Sequence, residues 1–364
     1  MPADTRSATG AATLFPPLDR RLGIPGRGGS SRLARKVCEA NLAGSFPKAS
    51  RLLGSLAGLD LSAKQVQLLT ERVGAILERE RDGATADFLA LRPPAGPPPE
   101  PVSLLVITTD GGRVQTLQED PDQKWKEDKI GVVYDARAVP ETPGVEYAGP
   151  SPLRRSVVAT MGPWEQLGDH LSALADRRGS TQAEQKVFVS DGAAAIRSVR
   201  ERCFPDAAFV LDWSHATSHL HQMAQAAFGT GPSAEAWLDR QKDRLWNSRL
   251  EPFFKELTRL GAACGPAPPK ARPEDPRRLL AANLEYFRTN REGLDYASFR
   301  RRGWPLGSGI VESTVKQVGQ RVKGSEKHWG MPGVETTLQI VTHLISTDGA
   351  WDRFWNRHPL SKTA

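Results

Sequence analysis

The chain has 364 residues, enough for two or three domains and a sizeable core. Apolar residues make up 39% and charged residues 25%, which excludes a chain disordered throughout, and no run of about 18 apolar residues marks a membrane span. The 49 Lys and Arg exceed the 42 Asp and Glu by a net +7, a mild excess compatible with nucleic-acid binding and with an ordinary basic enzyme.

Residues 1–51 are the most basic stretch, with nine Lys or Arg against three acids. No long apolar segment follows the initial Met, so no secretory signal is expected. The three cysteines, Cys38, Cys203 and Cys264, are far apart and form no CxxC, which argues against a disulfide framework or a Cys-rich zinc site. The expected compartment is therefore the reducing cytoplasm.

Residues 1–30 read as a Gly- and Pro-rich tail. Three helical signals follow. SRLARKVCEANL sets Leu33, Val37 and Ala40 on one face, and FPKASRLLGSLAGL groups Ala49, Leu52, Leu53 and Leu56 before a stop at Gly58. The third opens with a capping box, Ser62 to Gln65, flanked by a Leu61–Val66 staple, and keeps a helical period to about Glu80. Three short helices with a basic excess resemble a helix-turn-helix module, and a plain helical bundle is the alternative. The six prolines between Pro93 and Pro101 predict a boundary, giving an N-terminal tail and helical DNA-binding unit over 1–92 and a linker over 93–101.

Beyond it, Ser103–Thr109 reads as a strand closed by Asp110-Gly111-Gly112, with Arg113–Leu117 returning through that turn as a hairpin partner. Lys129–Tyr134 is a third strand, Pro163–Asp176 a helix, and Lys186–Val189 a fourth strand ending at Asp191-Gly192. A helix through Ile196 and Val199 precedes a fifth strand, Ala208–Leu211, which ends at Asp212. This order predicts a mixed sheet flanked by helices. Residues 213–302 are mostly helical, and a Gly-Ser-Gly start opens a helix within 303–324.

Three acids stand out. Asp110 and Asp191 close strands, each followed by Gly, and Glu312 lies in the first turn of the late helix. Carboxylates at strand ends point into the crevice where open α/β sheets bind ligands. Each Asp-Gly alone is more often a turn than a ligand. Two Asp and one Glu without His or Cys would form a hard-oxygen site for Mg²⁺ or Mn²⁺, and two such ions suit phosphoryl displacement. On the Glu312 helix, Val311, Val315, Val318 and Val322 form the expected buried stripe. Beside it run Glu312, Lys316, Gly319 and Lys323, an arrangement fit for a phosphate backbone next to a metal ligand; an i,i+4 Glu–Lys surface pair is the plainer reading.

The runs VSDGAAAIRSVRERCFPDAAFVLDWSHATSHL and PLGSGIVESTVKQVGQRVKGSEKHW, with TTDGGRVQTL and WKEDKIGVVYD, resemble bacterial insertion-sequence transposases of the DDE type. The Kra group, itself similar to the mutator-like transposases, is the nearest branch, and the resemblance spans about residues 14 to 345. It implies an RNase H-like core over 102–228 and 303–364, with an all-helical insertion over 229–302. It implies Asp110, Asp191 and Glu312 as ligands of two Mg²⁺ or Mn²⁺ ions, with Asp212 and His215 in support. It also implies DNA strand cleavage at element ends and transfer of the 3′-hydroxyl into target DNA. The partners are then double-stranded DNA, as terminal inverted repeats and target, and a second copy of the chain.

Expected DNA contacts are Lys316, Arg321, Lys323, Lys327 and Trp329 after the acid, and Arg300, Arg301 and Arg302 before it. Two departures are visible. The Cys-rich amino-terminal motif frequent in the group is lacking, and Glu326 adds negative charge to a turn where a small or basic residue is expected. The alternative function is a non-catalytic, repurposed transposase acting as a DNA-binding repressor. His215 and His219 share helical zinc spacing but lack a third ligand, and Trp237, Trp246, Phe253 and Phe254 read as helical core more readily than as base-stacking platforms.

Overall fold

The computed structural model describes residues 31–92, 100–117, 124–324 and 327–357. The expected tail over 1–30, most of the Pro-rich linker and Glu326 lie outside these residues. Three helices come first: α1 (Ser31–Asn41), α2 (Phe46–Ala57) and α3 (Ala63–Leu89). The capping box forms, with the Gln65 amide donating to Ser62 Oγ and the Ser62 amide donating to Gln65 Oε1 at 2.9 Å. α3 runs well past Glu80. Its extension is fixed from outside, because Arg81 donates to the Ala159 carbonyl and to Glu335, and Thr85 meets His170 Nδ1 at 2.9 Å.

The sheet follows: β1 (Leu104–Gln115), β2 (Trp125–Ala136), β3 (Pro152–Thr160), helix α4 (Trp164–Arg177), β4 (Gln185–Ser190), helix α5 (Ala194–Cys203) and β5 (Ala208–Leu211). The strand order is β3-β2-β1-β4-β5, with β3, β2 and β1 antiparallel and β1, β4 and β5 parallel. The chain is thus α/β, a mixed five-stranded sheet flanked by helices.

Two expectations for the sheet need correction. Asp110-Gly111-Gly112 is not a turn; β1 passes straight through it and pairs with β2 as far as Gln115 and Trp125. The glycines serve close approach instead. A Cβ on Gly111 would sit 2.5 Å from Glu127 Oε1, and one on Gly112 would sit 2.4 Å from Asp128 Oδ1. β3 was not expected at all, because Arg154 and Arg155 interrupt its apolar pattern. As an edge strand it tolerates them, and Arg154 is neutralised by its cross-strand partner Asp135 at 3.0 Å.

The remaining helices are α6 (Trp213–Phe228), α7 (Pro232–Trp246), α8 (Leu250–Cys264), α9 (Pro276–Thr289), α10 (Tyr296–Arg302), α11 (Gly309–Val322), α12 (Met331–Ile345) and α13 (Ala350–Arg357). Alternation along the strands divides the core. Leu104, Val106, Ile130 and Val132 face Val311, Val318 and Val322 of α11, while Leu105, Ile107, Val133 and Phe188 face Leu167 and Leu171 of α4. The N-terminal helices close a small core of their own around Val37, Ala49, Leu53, Val66 and Leu69, and share a second one with the C-terminal helices. Ala34, Cys38, Val73 and Leu77 share a cluster with Ile340, Trp351, Phe354 and Trp355. Among the described residues no helix is long and apolar enough to cross a membrane.

Candidate functional site

The parallel pairing of β1 with β4 runs to Thr108 opposite Val189. Two residues farther along each strand stand Asp110 and Asp191, so the register brings both carboxylates to one edge of the sheet. Asp110 is half-buried and accepts from the Gly111 amide at 2.7 Å. Burial raises its carboxyl above the ordinary carboxylate range; the Gly111 amide and the field of His215 pull it down, while Asp191 and Glu312 push it up. Asp191, His215 and Glu312 therefore all lie within electrostatic reach of Asp110. Among the described residues none of the three acids forms an ion pair, and Lys316, four residues from Glu312, does not bridge to it.

Asp191 sits in a turn built by a distant part of the chain. Its side chain accepts from the Ala193 amide at 2.9 Å, and its carbonyl accepts from Tyr286 Oη at 2.8 Å. Gly192 has φ +77°, and a Cβ there would meet Asn290 Nδ2 at 2.7 Å, so only glycine fits the left-handed turn under Asn290. Tyr286 and Asn290 therefore mould the Asp191 turn, and sequence reasoning missed both.

Glu312 is positioned by a second relay. Asp212 ends β5 and is 1% exposed. Its Oδ1 caps α6 by accepting from the His215 amide at 2.8 Å, and its Oδ2 accepts from the Ser308 amide at 2.5 Å. Ser308 Oγ lies 2.7 Å from Asp212 Oδ2 and 3.2 Å from Glu312 Oε1. One hydroxyl thus stands between two carboxylates, tying the start of α11 to the end of β5. The Ser of the Gly-Ser-Gly run, visible in the sequence only as a helix opener, is the hinge of this relay.

His215, half-buried in the first turn of α6, lies in the field of Asp110. His219 is engaged elsewhere. It stacks on Tyr286 with ring centroids 3.6 Å apart, and its Nδ1 is 2.5 Å from Asn283 Oδ1. Among the described residues no three His, Cys, Asp or Glu side chains form a preassembled metal-holding group.

The expected DNA contacts divide sharply. Lys316, Lys323, Arg301 and Arg302 are exposed, with Arg302 resting over the Trp304 ring at 4.8 Å. Lys327 is half-buried and donates to the Gln320 carbonyl. The open gap expected at Gly319 is covered, since the Lys323 stem folds over it at 3.3 Å from a would-be Cβ. Three residues do not face solvent, contrary to expectation. Arg300 is 6% exposed, donating to Glu141 and to the Trp246 carbonyl while lying over the Trp246 ring. Arg321 is 1% exposed, held between the Phe46 and Trp329 rings and donating twice to Asn41 Oδ1. Trp329 is 7% exposed, bonds the Val322 carbonyl through Nε1, and bridges Thr116 beside β1. Their neighbours in sequence are basic, but aromatic faces close at hand bury them. In the insertion, Trp237 and Phe253 are buried, in keeping with helical core.

No protein-family model matches this chain, and no curated protein matches it.

Proposed function

We propose that the chain is a metal-dependent DNA transposase of the DDE type, cleaving strands at element ends and transferring the 3′-hydroxyl into target DNA. One observation carries the reading. Asp110 on the central strand lies in the field of Asp191, just beyond the parallel neighbour β4, and of Glu312, on the helix packed against β1 and β2, with no cation paired to any of the three among the described residues. The mixed five-stranded sheet flanked by helices accords with the RNase H-like core that the resemblance implies.

The donor set fits the group. Carboxylate oxygens with no thiol among them suit Mg²⁺ or Mn²⁺, and their crowding would be relieved by positive charge. Asp110, Asp191 and Glu312 would hold such ions, which when bound supply Lewis-acid stabilisation of the phosphodiester oxygens. The chain's own groups do the positioning. Tyr286 and Asn290 hold the Asp191 turn, and Asp212 with Ser308 orients Glu312. Lys316, Lys323, Arg301 and Arg302 offer exposed cations to phosphates, so DNA affinity should fall with salt at about −0.9 in log-log slope per phosphate neutralised.

The test is Mg²⁺-dependent cleavage of a supercoiled plasmid carrying the DNA that flanks the coding region. Asp110→Asn, Asp191→Asn and Glu312→Gln should each abolish cleavage while duplex binding persists. Full cleavage by any one of them overturns the assignment. The absence of a preassembled three-ligand group among the described residues favours a second reading, a DNA-binding repressor. That reading holds if wild-type protein binds the ends and never cuts them with Mg²⁺ or Mn²⁺.

A further inference from the structure

At the opposite end of the sheet, where β1 and β3 begin, a cleft of about 420 Å³ opens between the end of α4, the end of α12, and α13. Arg81, Arg154, Arg177, Arg178, Arg353 and Arg357 line it. Their acceptors are largely spent. Arg154 and Arg178 share Asp135, and Arg81 is taken up by Asp82 and Glu335. Asp348 accepts from Ser156 Oγ at 2.6 Å, the Ala350 amide at 2.9 Å and Arg353 at 3.2 Å, with Arg178 at 3.8 Å. Among the described residues Arg357 pairs with Glu80, at 2.5 Å.

Arg177 differs from the other five. Among the described residues it makes no hydrogen bond or ion pair, although Asp348, Arg353, Arg357 and Glu80 all lie within its field. Each guanidinium presents five N–H donors in a planar fork, so Arg177, Arg353 and Arg357 together hold far more donors than Glu80 and the saturated Asp348 can accept. The side chains of Arg353 and Arg357 are 57% and 59% exposed, so their remaining donors are open to a ligand.

We propose that this cleft is a phosphate-binding site, separate from the carboxylate edge, with Arg177 as its anchor and Arg353 and Arg357 as flanking forks. A phosphate group supplies the missing acceptors in the geometry that guanidinium forks match best. The phosphate could belong to a nucleic-acid backbone or to a free polyphosphate. The inference stands apart from the reading of the carboxylate edge.

Pyrophosphate titrated calorimetrically into the full chain, at low ionic strength and without divalent ions, tests it. Saturable one-site binding is expected, weakened at least tenfold by Arg177→Ala and less by Arg177→Lys, which keeps the charge and loses the fork. Because Arg177 has no partner to orphan, both variants should melt with the wild type; Arg353→Ala provides an independent second loss. Binding should persist in Asp191→Asn. Two arms identify the source. A tenfold loss of duplex affinity in Arg177→Glu assigns the phosphate to nucleic acid, and unchanged duplex affinity with lost pyrophosphate binding assigns it to a small polyphosphate. No saturable binding by the wild type, unchanged binding by Arg177→Ala, or loss in Asp191→Asn overturns the site.

Discussion

The two ends of the sheet carry opposite charge problems. Where β4 finishes beside the middle of β1, Asp191 and Glu312 act on Asp110 with no ion pair among the described residues; where β1 and β3 begin, Arg177 stands unpaired among the described residues beside Arg353 and Arg357. The first is held by a rigid relay of neutral groups, Ser308, Tyr286 and Asn290. The second is held by acids that are themselves nearly saturated. Neighbouring like charges that the fold maintains without compensation point to a counter-charge from outside. Here the two ends ask for opposite signs.

The largest expected effect breaks the comparison at the acid end. Neutralising Asp191 as Asn should lower Mg²⁺-dependent strand cleavage by roughly 100-fold or more, and plasmid nicking assays with duplex-binding controls measure it. A matching loss from Arg177→Ala at the far end would show that the ends do not act separately.

Next comes pH. Asp128, opposite Gly112 on the face that carries Asp110, is 1% exposed with one carboxylate oxygen lacking a hydrogen bond, and burial raises its carboxyl to about 6. Between that value and the ordinary 3.8 the folded state keeps a proton that the unfolded chain has lost. Asp128 therefore adds stability as pH falls from about 7 to about 4, by up to about 3 kcal/mol. His170 has the opposite sign. Burial, with the nearby Arg81, lowers it to about 4, so the unfolded chain takes up the proton first and stability is lost as pH falls from 6.5. The two trends oppose each other in nearly the same window. Asp128→Asn should leave a protein that weakens on acidification, and His170→Gln one that strengthens. Denaturant unfolding at pH 7.5 and pH 5 reads both, and an unchanged slope in either variant would sink the corresponding assignment.

Smaller effects sharpen the symmetry. Ser308→Ala strips Asp212 of one hydrogen bond and frees Glu312, costing about 1–2 kcal/mol in denaturant unfolding. Asp110→Asn should raise the melting temperature of metal-free protein at neutral pH, because burial holds the carboxyl above its ordinary value. The gain should shrink as pH falls toward the ordinary 3.8. A melting temperature lowered by Asp110→Asn would mean the acids are not in conflict.

Much of the fold was legible where local physics decides. The Ser62–Gln65 capping box and the bounds of β5 came directly from spacing. The sequence also singled out the three acids that the sheet brings into one field. Glycine misled because it serves two purposes. At Gly111 and Gly112 it makes room for Glu127 and Asp128 across the ladder, which in one dimension looks identical to a turn. β3 was hidden because its arginines find partners far off in sequence, Arg154 in Asp135 of β2 and Arg155 in the Ile345 carbonyl. Tyr286 and Asn290 reach Asp191 and Gly192 from 95 and 98 residues away, and no local pattern announces such contacts. Arg300, Arg321 and Trp329 looked like DNA contacts because charge is read along the chain, whereas burial depends on which aromatic faces the fold brings alongside.

Arg321 has a mechanical consequence. It rises from the helix of Glu312, lies between Phe46 and Trp329, and grips Asn41 of the first helix. Together with the Trp351–Trp355 cluster against α1 and α3, it rivets the first described helices to the last. A protease nick between α3 and β1 should therefore leave two fragments that migrate as one species under native conditions. The same two pieces, produced from separate genes, should find each other and complement.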